Sequence, residues 1–98
     1  MIEYLEIFNE KIPVRCNRRS IVVFEKKYNK TIKQLDSLSL EELAGFVWLS
    51  VIEAYRFQDI KNPYTEETFN DKLDELSPKI LYNKLGEVIV NFFKEEGE

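Results

Sequence analysis

Ninety-eight residues suffice for one domain with one core, and not for two. A 44% apolar and 33% charged chain with a net charge of −4 excludes disordered and collagen-like classes. The absence of histidine and the single cysteine exclude a Ser-His-Asp triad, a Cys-His dyad, any His-containing or Cys-only zinc site, and an intrachain disulfide.

The longest apolar run, Leu43 to Ile52, is about half the roughly 20 residues a membrane-spanning helix needs. Residues 1–6 carry acids where a secretory leader has Lys or Arg. The lone Cys16 fits a reducing compartment and, lying on an apolar alternation, a buried thiol. No cofactor and no membrane partner are expected.

Residues 2–8 are apolar-rich, and in 12–16 Ile12, Val14 and Cys16 alternate with Pro13 and Arg15. With Asn9-Glu10-Lys11 between them, the spacing predicts a β-hairpin over about 2–16. Pro13 cannot donate to a ladder and so belongs at an edge or a strand start. Residues 20–24 (Ser-Ile-Val-Val-Phe) would suit a strand. Ile21, Phe24 and Tyr28, however, share a helical face. Asn17 can cap a start and Asn29 can take the left-handed conformation that ends a helix, so a helix over 17–29 is expected.

Residues 30–38 read as a connector pinned by Ile32, Leu35 and Leu38. Ser39 with Glu42 makes a capping box for a helix over 40–57. Its apolar residues cover nearly every face, as in a central helix. Gly45 inside it marks a close backbone approach. Asn62-Pro63-Tyr64 closes a loop before a helix over 65–76 with Phe69, Leu73 and Leu76 on one stripe. Ser77-Pro78 starts a last helix over 78–94, with Leu81, Leu85, Val88, Ile89 and Phe92 at helical spacing. Residues 95–98 are expected to fray. The fold class is mainly α (α+β): an N-terminal hairpin packed on about four helices within a single domain, 1–98.

Charge is uneven. From Lys11 to Lys33 eight basic residues face Glu25 alone, while residues 35–98 are acidic. This is either neutralisation within the fold or a surface for an acidic partner. The candidate partner contacts are Arg15, Arg18, Arg19, Lys26, Lys27, Phe92 and Phe93. The adjacent Phe92 and Phe93 point in different directions on a helix, so one lies off the core stripe near a free end. The carboxylates at Glu41/Glu42, Glu66/Glu67, Asp71/Glu75 and Asp74/Glu75 mostly suit helix starts and solvated faces better than acid–base catalysis. Asp71 and Glu75 could at most hold a divalent cation weakly.

The ordered series Glu10-Lys11-Ile12-Pro13-Val14-Arg15, Ile21-Val22-Val23-Phe24-Glu25-Lys26-Lys27-Tyr28-Asn29-Lys30, Leu38-Ser39-Leu40-Glu41-Glu42-Leu43-Ala44, Val47-Trp48-Leu49 and Tyr64-Thr65-Glu66-Glu67 resembles the small tail assembly chaperones of long-tailed bacteriophages. It covers about two-thirds of the chain. Each piece is common alone, and the order carries the likeness. Tyr28-Asn29 stands where such chaperones often have Thr-Gly, and the last twenty residues match no part of the pattern. The resemblance implies a non-enzymatic protein in the host bacterial cytoplasm, absent from the finished virion. It would bind the tape-measure protein, with the tail tube protein a further candidate, and could form homo-oligomers. Alternatives are a structural tail or head–tail connector protein, or a nucleic-acid-binding regulator using the basic 15–33 segment. The acidic total weighs against nucleic acid.

Overall fold

The computed structural model describes residues 2–7 and 9–93, and only the backbone of Ile32, Leu35 and Asp36. The order is strand β1 (Glu3–Ile7), strand β2 (Glu10–Val14), helix α1 (Arg18–Tyr28), a 3₁₀ segment (Ile32–Ser37), then helices α2 (Leu40–Gln58), α3 (Glu66–Asp74) and α4 (Pro78–Phe92). This is the expected hairpin followed by four helices.

β1 and β2 pair antiparallel, with Leu5 opposite Ile12 and Ile7 opposite Glu10. The connection is tighter than the spacing predicts, because Glu10 and Lys11 already lie in β2. Asn9 makes this possible at φ 62°, a left-handed conformation that asparagine tolerates. Ile12, Pro13 and Val14 are all buried, so β2 does not alternate between core and solvent. The ladder ends before Arg15, whose backbone N–H turns to the Ser50 carbonyl of α2 at 2.9 Å.

Local caps set the helix boundaries. Asn17 Oδ1 accepts from the Ser20 backbone N–H at 2.9 Å, and the Ser20 hydroxyl oxygen accepts in turn from the Asn17 backbone N–H at 3.0 Å. Ser39 and Glu42 form the expected capping box. Thr65 and Thr68 form another, and Ser77 caps α4. α1 ends at Asn29 with φ 55°, and α2 at Asp59 with φ 56°. α3 stops short of residue 76. The N–H groups of Glu75 and Leu76 bond three residues back, tightening the last turn before Ser77 starts the next helix. Even so, Leu76 packs against the core. Lys94 and the expected frayed tail 95–98 lie outside the described residues.

α2 runs through the centre and packs on β2, α1, α3 and α4, while β1 lies on α4. Phe46, Val47, Val51 and Ala54 of α2 are fully buried. Aromatic rings link the helices in two chains. Tyr28, Phe24, Phe46 and Phe92 join α1, α2 and α4 at centroid separations of 5.1, 5.1 and 6.0 Å. Trp48, Phe69 and Tyr64 join α2 to α3 at 5.3 and 6.3 Å. A carboxylate strut fastens the hairpin to the far side. Glu10 accepts from Lys72 Nζ at 2.7 Å and from the Tyr64 hydroxyl at 2.9 Å.

Candidate functional site

The basic segment is partly consumed by the fold. Arg19 lies 3.7 Å from Glu53, Lys27 3.4 Å from Glu66 and Lys30 2.9 Å from Glu42. Arg15 sits over the Phe57 ring, 4.1 Å from its centroid. Arg18 and Lys26 are exposed and make no ion pair among the described residues. The expected surface is thus not one patch of free cations.

Glu53 is the residue the sequence conceals. It occupies the middle of α2, only 6% exposed. Asn17 Nδ2 donates to it at 2.9 Å, and Arg19 and Arg56 approach at 3.7 and 3.5 Å. An acid within an apolar helix was the available signal, but its partner Asn17 is 36 residues away.

Phe92 and Phe93 separate as their adjacency requires. Phe92 packs edge-on against Phe46 and is partly buried against the core. Phe93 is exposed. As the C-cap of α4, it follows Tyr82, Gly86 and Val90 at spacings of four, four and three. At 100° per residue these fall on one face. Val90 is 66% exposed, Tyr82 46%, and a Cβ on Gly86 would meet nothing within 4 Å. Sequence reading found Phe93 and missed the rest of this row, because Tyr82 and Val90 could equally have been covered.

A second surface is a cleft of about 510 Å³ where α1, α2, α3 and the start of α4 converge. Tyr28, Leu40, Trp48 and Leu73 line it, and Glu41, Glu66 and Asp74 stand around it. Gly45 and Tyr28 meet in its wall. A Cβ on Gly45 would lie 2.6 Å from Tyr28 Cζ, so the phenol ring rests on the helix backbone. Burial pushes the Tyr28 hydroxyl up. Lys27 partly offsets that, while Glu41, Glu66 and Glu42 add to it.

Other chemistry is sparse among the described residues. No three of Cys, Asp and Glu gather to hold a metal ion, and Asp71 and Glu75 are both exposed. Cys16 is half-buried, and burial pushes its thiol up, partly offset by a Ser20 hydrogen bond. No described helix is long and apolar enough to cross a membrane. In comparisons with protein-family models, curated proteins and solved structures, the chain matches none.

Proposed function

We propose that this chain is a non-enzymatic tail assembly chaperone of a long-tailed bacteriophage. It binds the tape-measure protein in the host cytoplasm and keeps it soluble while tail tube subunits assemble, and it leaves before the virion is complete. The carrying observation is the row of exposed Tyr82 and Val90 around the half-buried Gly86 on α4, continued by the exposed C-cap Phe93. An amphipathic helical client needs an apolar surface to cover its own stripe, and a helix face with a glycine at its centre lets a second helix approach closely. The ordered motifs from Glu10 to Glu67 support the family. They lie on β2, α1, the first half of α2 and the start of α3, and so leave α4 available as the client face.

The regulator reading is weakened. Arg19, Lys27 and Lys30 already face carboxylates, which lowers the number of phosphates the segment could neutralise. Co-expression with the long helical protein encoded downstream tests the proposal. That protein should stay soluble and co-purify only when the chain is present. Tyr82→Ser with Val90→Asp should abolish retention without unfolding the chain. A client soluble by itself, or never retained, would overturn the reading. Presence of the chain in purified particles would favour a structural tail protein instead.

A further inference from the structure

The acids around the cleft have unequal explanations. Glu41 lies in the first turn of α2 and Glu66 in the first turn of α3, where the helix dipole favours a negative charge. Asp74 is the last residue of α3, at the negative end of that dipole, where an acid is unfavourable. Lys27 holds Glu66 at 3.4 Å. Neither Asp74 nor Glu41 has an ion-pair partner among the described residues. Stability within the chain therefore accounts for Glu66, partly for Glu41, and not for Asp74.

Beside these carboxylates the cleft is lined by Tyr28, Leu40 and the mostly buried Trp48 and Leu73, together with the polar Lys27 and Asn70. At about 510 Å³ and half open to solvent, the cleft is a groove that can seat a side chain. With the lining Lys27 already held by Glu66, apolar side chains beside two carboxylates that lack ion-pair partners are complementary to a large apolar side chain with cations beside it.

We propose that this cleft docks a basic amphipathic segment of another protein, placing an aromatic or leucine side chain over Trp48 and Lys or Arg against Glu41 and Asp74. The site is distinct from the α4 row. Leu81 turns one face of α4 to the cleft, while Tyr82 and Val90 lie on another. The inference does not depend on the tail-assembly reading.

Trp48 is the only tryptophan in the chain and lines the cleft, so its emission reports occupancy directly. The probe is a synthetic amphipathic helical peptide with one Phe flanked by Lys on both sides, titrated into the full chain at low salt. Its twin carries Glu for every Lys. The Lys peptide should shift Trp48 emission saturably and bind at least about tenfold tighter than the twin. That preference should shrink with added salt. Glu41→Lys with Asp74→Lys should invert the preference, and Glu41→Gln with Asp74→Asn should flatten it. Asp74→Lys alone should weaken binding while raising the melting temperature, since it removes the unfavourable charge from the end of α3.

No saturable shift with either peptide, equal affinity for both, or a preference unmoved by charge reversal would overturn the proposal. So would self-association of the chain that Asp74→Lys abolishes, because the occupant would then be a second copy. The Tyr82→Ser, Val90→Asp variant should bind the Lys peptide as the parent does. Loss of client retention in that variant with an intact peptide titration separates the two surfaces.

Discussion

The Asn17 amide faces two ways. Its oxygen caps α1 through Ser20, and its nitrogen donates to Glu53 at 2.9 Å. Aspartate is ordinarily as good an N-cap as asparagine. Here it has no N–H to give and would set a second carboxylate against a buried one. Asn17→Asp should cost about 2 kcal/mol in urea unfolding, a lost bond to a charged group. Stability equal to the parent would remove Glu53 from the account of α1. Gly45 poses the opposite case. Replacing an interior helical glycine by alanine normally gains up to about 1 kcal/mol. At Gly45 the new methyl would strike the Tyr28 ring, 2.6 Å away at Cζ. Gly45→Ala should therefore show no gain by itself, yet stabilise the Tyr28→Ala background. The double-mutant cycle should give a coupling of about 1 kcal/mol. Additive effects would mean that Tyr28 does not rest on Gly45.

The elements are bounded by caps and tied together by two carboxylates. Ser39→Ala should cost about 1 kcal/mol, because it leaves a backbone N–H of the first turn of α2 without its acceptor. Thermal melting followed by circular dichroism would register that loss. Glu42 completes the box. The Ser39 backbone N–H, then Lys30, hold its carboxyl below the usual range. Glu10 is likewise held down by Lys72 and then Tyr64, joining β2 to α3 and to the loop before it. A folded pKa below the unfolded value of 4.5 gives stability that is present above that pH. It is lost as pH falls through the folded value. The stability gap between the parent and Glu10→Gln should thus be constant near neutrality and close on acidification below 4.5. A gap independent of pH would rule out a charged strut. At the alkaline end the signs reverse. Burial and then the Glu10 hydrogen bond push the Tyr64 phenol up to about 12 from 10.0. Its contribution is present below pH 10 and fades toward 12. Absorbance titration of the phenols should lose its latest step in Tyr64→Phe.

For the whole molecule, a two-stranded sheet is too small to be stable alone, so the hairpin must share the fate of the helices. Leu5 and Val14 are fully buried, within the same cluster as Phe46, Val51 and Leu85 of the helices. Leu5→Ala should cost about 2–5 kcal/mol. It should shift one cooperative transition, seen alike by helical circular dichroism and by Trp48 fluorescence. Two transitions, or unchanged helix melting, would mean that the hairpin is an appendage. The uneven charge also resolves at this scale. Three of the eight basic residues of the segment, Arg19, Lys27 and Lys30, lie against acids of α2 and α3, so the imbalance along the chain is partly cancelled in space. The α4 row and the cleft remain outward, as do Phe57, Ile60 and Ile80, and both protein-binding proposals rest on the first two.

Read alone, the sequence determined the elements and most of their limits, because those depend on neighbours three or four residues apart. Asn17, Ser39, Thr65 and Ser77-Pro78 announced helix starts, Asn29 announced an end, and the all-round apolar α2 announced its central place. Even the close approach at Gly45 was legible, although its partner Tyr28 was not. Only the tertiary structure decided which charges cancel and which surfaces stay open. Glu53 meets Asn17 across 36 residues and Glu10 meets Lys72 across 62, and no periodicity records such pairings. The cleft joins Tyr28, Trp48 and Asp74 from three helices, and Tyr82 and Val90 are exposed only because nothing packs over them. Local conformation follows from local sequence through sterics and capping hydrogen bonds. A binding surface is what remains once every long-range contact has been made.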